Sequence, residues 1–292
     1  MIDLHIHSTN SDGTDSVQEI LQKAQKLNLA YISITDHDTC DGYKELEKID
    51  IPKYYSGKVI PGIEIKCGYK KHLIELLGYK IDTNKMSNWL NDFYKDKSRA
   101  EIQNKYFNIL YKKCIELGLT MREKNDIEFN PQKDWASFTI YSEIKSHKEN
   151  KEELPEDLWQ EFNTFSKKYC GNVNHPLYID KTKDYPSIEE TINAIRNCNG
   201  LVFLPHLFIY RWAEDKKQFI ADILTDYNID GIECMHNTFS EENIKYLEKI
   251  CNERGYYKSG GSDYHGKNKP NIELGVGKGN LKIPNEYVED WI

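Results

Sequence analysis

The stretch DLHIHSTNSDG, residues 3 to 13, places two histidines at alternate positions, with Asp12 after them in a polar turn. Alternate side chains of a β-strand leave on the same face, so His5 and His7 point one way while Leu4 and Ile6 point the other. An H-x-H pair by itself reads as a polar edge strand with two solvated histidines. The same residue types recur, however, at the ends of later apolar runs: His37 in TDHD, Glu64 in PGIEI, His206 in FLPH, and Asp263 with His265 in GGSDYH. Imidazole and carboxylate ligands without thiolate suit Zn, Mn or Fe. So many of them exceed what one ion uses, and more than one metal is expected. A carboxylate such as Glu64, rising between the others, can bridge two ions roughly 3.5–4 Å apart, an arrangement that polarises a phosphoryl oxygen and turns bound water into hydroxide. The chemistry this predicts is phosphoester hydrolysis.

Such a set works only if distant segments bring it to one place. After the first strand, SVQEILQKAQKL carries Val17, Ile20, Leu21, Ala24 and Leu27 at helical spacing, and Ser16 with Glu19 forms a capping-box signature, so a helix is expected from about 16 to 28. AYISITDHD reads as a buried strand entering an acidic turn, and KVIPGIEIKC and HLIELLGYKI add two apolar runs separated by a Gly-Tyr-Lys-Lys turn. The last third repeats the rhythm: helix SIEETINAIRNC, strand GLVFLPH, helix KKQFIADILTDY, strand DGIECMH, helix SEENIKYLEKICNE and strand YYKSGGSDYH. Strands alternating with helices predict a parallel α/β sheet or barrel. In such folds the carboxyl ends of the strands gather at one face, where sites are built.

Residues 86 to 186 behave differently. SNWLNDFYKDKSRAEIQNKYFNILYKKCIELG sustains helical periodicity, and the segment from there to Tyr185 is charged, aromatic and short of strand signal. The expected organisation is therefore 1–85 with 187–292 as one α/β unit and 86–186 as a helical insertion, either a lid or a passive packing subdomain. Trp89, Phe93, Tyr106, Phe107, Leu110 and Tyr111 form a stripe that reads as core packing, with one ring able to stack on a base.

The 292 residues suffice for a large core, and 39 basic against 47 acidic side chains give a net charge of -8, which argues against an extensive nucleic-acid surface. Seven scattered cysteines, an odd number without a C-x-x-C pair, fit neither a disulfide framework nor a zinc knuckle and point to a reducing, cytoplasmic setting. No basic leader precedes an apolar run and no stretch approaches ~18 apolar residues, so neither a signal peptide nor a membrane span is expected.

Taken in order, DLHIHSTNSDG, ITDHDT, PGIEI, PH and GGSDYHG resemble the successive motifs of the PHP (polymerase and histidinol phosphatase) family, from residue 3 to 266. By layout the chain is similar to the small PHP phosphoesterases that act on nucleoside 3',5'-bisphosphates and on short RNA from its 5' end. The resemblance implies a distorted (β/α)7 barrel with a helical insertion and three neighbouring metal sites. It implies that His5, His7, Glu64 and Asp263 hold a first ion and Asp12, His37 and His265 a second. Glu64 would bridge to a third, completed by His206 and one more ligand. Relatives read H-x-L-G-Y at the end of the fourth strand where this chain reads ELLGY, so Glu75 stands in the histidine's place. His72, three residues earlier, faces the other side of a regular strand and could substitute only through a bulge.

Phosphate binding needs cations beside the metals, and Arg211, just after the PHLFIY strand end, and Arg99, on the first insertion helix, are the candidates. Relatives carry R-x-x-R-N on that helix; SRAEIQN keeps one arginine and loses the second, with the forked contact to phosphate that it could make. Arg99 reads equally as part of a solvated helix face. His236, at the end of GIECMH, reads as a catalytic candidate or as a structural hydrogen-bonder, while His147 and His175 read as ordinary insertion residues. The expected activity is a hydrolase for a phosphomonoester of a small nucleotide of the 3',5'-bisphosphate type or a short 5'-phosphorylated oligonucleotide, using two or three divalent ions (Mn, Fe or Zn). The alternatives are a histidinol phosphate or other small-molecule phosphatase, and a metal-stabilised interaction module without catalysis.

Overall fold

The computed structural model describes residues 1–159 and 161–292 and divides the chain into two compact units. The first comprises Met1–Tyr69, Leu73–Asp92 and Tyr185–Ile292; the second comprises Lys70–His72 and Phe93–Asp184.

The first unit is mixed α/β. Strands β1 (Ile2–Ile6), β2 (Tyr31–Ile34) and β3 (Lys58–Val59) form a parallel three-stranded sheet in that order. A five-stranded sheet is ordered β4 (Gly62–Tyr69), β5 (His72–Tyr79), β6 (Leu201–Leu204), β7 (Gly231–His236) and β8 (Tyr257–Gly261). Parallel bridges join the two sheets at both margins, Ile6 to Tyr264 and His37 to Glu64. Ile2, Leu4 and Ile6 are wholly buried on one face of β1, each worth about 1.5–3 kcal/mol of apolar burial. Asp3 and His5 are just as buried on the other face. The first strand therefore buries both sides, and its polar side must be satisfied by the groups around it.

The helix Val17–Lys26 starts from the Ser16–Glu19 capping box and buries Val17, Ile20, Leu21 and Ala24, as the spacing predicts. One expectation needs correcting. The strands are not all parallel: β5 runs antiparallel to β6, pairing Leu77 with Phe203 and Tyr79 with Leu201. Only two residues separate β4 from β5, too few for the helical crossover that parallel neighbours need. Lys70 turns the chain there at φ 55. The reversal brings the early part of β5, not its end, beside the carboxyl end of β6, and that places Glu75.

The second unit is helical at its centre. The sustained periodicity of residues 87–118 resolves into two helices, Thr83–Tyr94 and Arg99–Glu116, because Ser98 and Glu101 make a second capping box that starts the chain afresh. Tyr106, Phe107, Leu110 and Cys114 of the latter pack with Ile140 and Ile144 of Ala136–Ser146 and with Phe165 and Leu177. Tyr106, Phe107 and Leu110 are thus core residues, as the stripe implies.

Candidate metal centre

Four imidazoles meet on one buried carboxylate. Glu64 is 1% exposed, and its Oε2 lies 3.2 Å from His5 Nε2, 3.3 Å from His7 Nε2 and 3.2 Å from His37 Nδ1. Its Oε1 lies 2.6 Å from His206 Nε2. These residues come from β1 and the position after it, the loop after β2, the third position of β4 and the loop after β6. Asp263 Oδ1 adds a second acidic wall, 3.8 Å from His5 Nε2, 3.5 Å from His7 Nε2 and 3.4 Å from His265 Nδ1. Asp12, the outermost member, stands 3.2 Å from His265 Nε2, 3.6 Å from His7 Nδ1 and 3.8 Å from His37 Nε2. Glu75 approaches from β5, 3.5 Å from His206 Nε2 and 4.0 Å from His37 Nδ1.

Local structure explains the convergence. Asp36 accepts from Ser8 N at 2.7 Å, Ser8 Oγ at 2.6 Å and Ser11 Oγ at 2.6 Å, which folds the loop carrying Asp12. Gly13 closes that loop, where a Cβ would stand 2.3 Å from the His7 carbonyl oxygen. His206 and Asp263 both sit at positive φ, 32 and 57, a conformation that costs non-glycine residues energy and is held where the surroundings demand it. The rings themselves are close-packed, with His7 stacked on His265 at 4.0 Å between centroids.

Burial opposes charge on Glu64, yet His5, His206 and His7 outweigh it and hold the carboxyl well below its usual range. Burial likewise opposes charge on His7, but Asp263 and Glu64 raise it to about 9; His5 is held well above its ordinary value by Glu64 and Glu233 against the same penalty. Burial lowers His37, which is left the most readily neutral of the inner imidazoles.

Among the described residues, His5 Nε2, both ring nitrogens of His7, His37 Nδ1 and His206 Nδ1 are buried without a hydrogen-bond partner. Buried polar atoms are normally paired. Nitrogens left bare beside carboxylates are what a divalent ion would satisfy, and the donor set of imidazole and carboxylate fits Mn, Fe or Zn. Three groups have ligand atoms within 4.8 Å of one another: His7, Asp12, His37 and His265; His5, His7 and Glu64; and His37, Glu64 and Glu75.

The other expected residues are placed less centrally. His236 reaches Asp263 Oδ2 at 3.4 Å and Thr238 Oγ1 at 2.8 Å, beside the cluster. Arg211 is exposed in the loop after β6. Arg99 belongs to the second unit, where its guanidinium lies 4.3 Å from the Trp135 ring and donates to the Lys133 carbonyl at 3.2 Å. His147 pairs with Glu143 at 2.9 Å and His175 accepts from Leu177 N at 3.1 Å, both local contacts of the second unit. His72 is half-buried at the first position of β5.

Sequence reasoning missed the groups behind the cluster. Glu233 is fully buried, with Oε1 2.9 Å from His5 Nδ1 and Oε2 accepting from His206 N at 2.7 Å. Asp3 accepts from Ser262 N at 2.9 Å, Ser262 Oγ at 2.5 Å and Gly275 N at 2.7 Å, tying the C-terminal segment to β1. Lys269 Nζ sits 2.6 Å from Asp263 Oδ2 and Lys66 Nζ 3.4 Å from Glu75 Oε1. A charged residue inside an apolar strand, such as Glu233 in GIECMH, was the available signal.

A mixed α/β unit that gathers imidazoles and carboxylates around one buried acid carries three candidate metal-ligand groups among the described residues. The chain belongs to the PHP domain family, whose model matches residues 3–237, and it is a hydrolase of phosphoester bonds. It is 22% identical to the phosphoribosyl 1,2-cyclic phosphate 1,2-diphosphodiesterase of Eggerthella lenta, over 91% of this chain and 94% of that protein. It is 24% identical to a 5'-3' exoribonuclease of Haemophilus influenzae, over 99% of this chain and 97% of that protein. The 3',5'-nucleoside bisphosphate phosphatase of Chromobacterium violaceum is 20% identical over 94% of this chain and 90% of its own length. In fold it is similar to a solved protein from Bifidobacterium adolescentis described as a metal-dependent phosphoesterase, with a TM-score of 0.62, 21% identity, and coverage of 99% of this chain and 94% of that one. Among the described residues no helix is long and apolar enough to cross a membrane.

Proposed function

We propose that the chain releases phosphate from a small nucleotide of the 3',5'-bisphosphate type or from a short 5'-phosphorylated oligonucleotide. The observation that carries this reading is the convergence of His5, His7, His37 and His206 on Glu64, with bare buried nitrogens among them. His5, His7, Glu64 and Asp263 would hold one divalent ion, and Asp12, His37 and His265 another. Glu64, Glu75 and His206 form the remaining candidate set. Bound ions supply Lewis acidity at a phosphoryl oxygen and a lowered pKa for water. The distorted (β/α)7 barrel belongs to the same reading, supported by the bridges at both sheet margins.

The chain's own residues then divide the work. Glu64 and Asp263 keep the inner wall anionic. His37 and Asp12, with side chains 25% and 56% exposed, face the side from which substrate enters. Arg211 is proposed to grip phosphate oxygens. A cytoplasmic setting is supported by seven cysteines that are all free thiols.

The test is phosphate release by the purified chain with Mn2+ from adenosine 3',5'-bisphosphate, short 5'-phosphorylated RNA, a phosphoribosyl 1,2-cyclic phosphate and histidinol phosphate. A nucleotide should be turned over fastest, and His37→Ala should abolish release while leaving the circular dichroism spectrum unchanged. Unaltered turnover in that variant would refute the site, and preference for histidinol phosphate would refute the substrate class.

A further inference from the structure

We propose that the Lys66 ammonium fills the third cation position of the centre, so that the chain holds two divalent ions and one lysine charge instead of three ions. The inference rests on the metal-centre reading above and goes beyond it in the number of ions bound.

Glu64 and Lys66 are two residues apart on β4, so both side chains leave on the same face. Lys66 therefore rises on the face of β4 that carries the Glu64 carboxylate. Its Nζ lies 3.4 Å from Glu75 Oε1, the same oxygen that faces His37 Nδ1 at 4.0 Å. The side chain is 32% exposed, and its tip passes the Tyr185 ring at 6.0 Å from the centroid. The ammonium thus stands against Glu75, one member of the group formed by His37, Glu64 and Glu75, where a third ion would need Glu75 as a ligand.

Asp263 provides the contrast. Lys269 also binds a carboxylate of the centre, but it takes Oδ2 and leaves Oδ1 to His5, His7 and His265. At Glu75 the ammonium takes Oε1, the oxygen that faces His37, and leaves Oε2 to His206 Nε2 at 3.5 Å. A divalent ion on Oε1 would sit within a few ångströms of a positive charge in a partly desolvated place, where like charges repel strongly. The other two groups contain no lysine contact of this inward kind among the described residues. A lysine can still offset phosphate charge, as a point charge without the ligands a metal requires.

The experiment is metal stoichiometry, read by inductively coupled plasma mass spectrometry after loading with Mn2+ and desalting, and by calorimetric titration with Mn2+. The wild-type chain should bind two manganese ions. Lys66→Met, which frees Glu75, should bind three, while Lys66→Arg, which keeps the charge, should stay at two. Lys66→Gln serves as a second neutral variant if the methionine variant does not fold. Three ions in a wild-type chain that still releases phosphate would overturn this inference alone. Two ions in folded neutral variants would overturn it as well. No retained manganese in the wild type would overturn the metal-centre reading beneath it.

Discussion

His5 Nδ1 and Glu233 Oε1 are 2.9 Å apart, and both side chains are 0% exposed. The pairing puts the imidazole proton on Nδ1 and turns Nε2 toward Glu64 and Asp263, which is the nitrogen a metal would use. Glu233 also holds the His206 backbone through Oε2, so one buried acid aligns two strand ends. Replacing it with glutamine should weaken Mn2+ binding by roughly 10–100-fold, as loss of such supporting carboxylates does elsewhere. Calorimetric titration checks this, and an affinity equal to wild type would remove Glu233 from the account.

Metal binding should release protons. Burial disfavours charge on His7, but Asp263 and Glu64 lift its pKa to about 9, so the metal-free ring is protonated at neutral pH. A metal needs the neutral ring, and the proton must leave. Apparent affinity should therefore climb as pH rises towards about 9 and level off above it. Titrations in buffers of different ionisation enthalpy report the proton count, and a heat independent of buffer would contradict the expectation.

Gly261 ends β8 against β1. A Cβ there would lie 2.2 Å from His5 Cβ and 2.5 Å from His5 N, both part of a strand that cannot retreat because its other face is core. Gly261→Ala should cost about 1–3 kcal/mol of stability and displace His5. A lower melting temperature together with weaker Mn2+ binding is the expected pair of results; a loss of neither would mean that β1 has room to move.

The second unit carries its own acid-sensitive contact. Glu143 is 2% exposed and receives Arg122 Nε at 3.0 Å, Arg122 Nη2 at 2.8 Å and Arg122 N at 2.8 Å, with His147 beside it. Burial raises its pKa, but these partners outweigh burial and bring it to about 2, from an ordinary 4.5. The contact is therefore at full strength above pH 4.5 and is lost as pH falls from there through about 2. Glu143→Gln should cost about 2 kcal/mol locally, the scale of hydrogen bonds to a charged group. Amide exchange in the helix Ala136–Ser146 should then accelerate roughly 30-fold at neutral pH, and unchanged exchange would show that the contact is idle.

Local pattern was enough to read what depends on the period of one strand or helix. The shared face of His5 and His7, the Ser16 cap and the acidic turn after β2 come from spacing alone. Features that depend on pairing between strands were not legible. Glu233 and His236 differ by three residues, and a regular strand would send them to opposite faces; a register shift between Glu233 and Met235 lets both approach the centre. Parity separates Glu75 from His72, but the position of Glu75 comes from the reversed direction of β5, which the helix–strand rhythm does not reveal. Lys66 and Lys269 went unread because a lysine near a strand end has the same signature whether it faces solvent or a carboxylate.

The claim on which all of this depends is that cations lie among these side chains. Anomalous scattering from crystals grown with Mn2+ tests it most directly. The account predicts one peak within bonding distance of His5, His7, Glu64 and Asp263 and another within bonding distance of Asp12, His37 and His265. An ordered chain whose manganese lies elsewhere, with these residues bare, would contradict it.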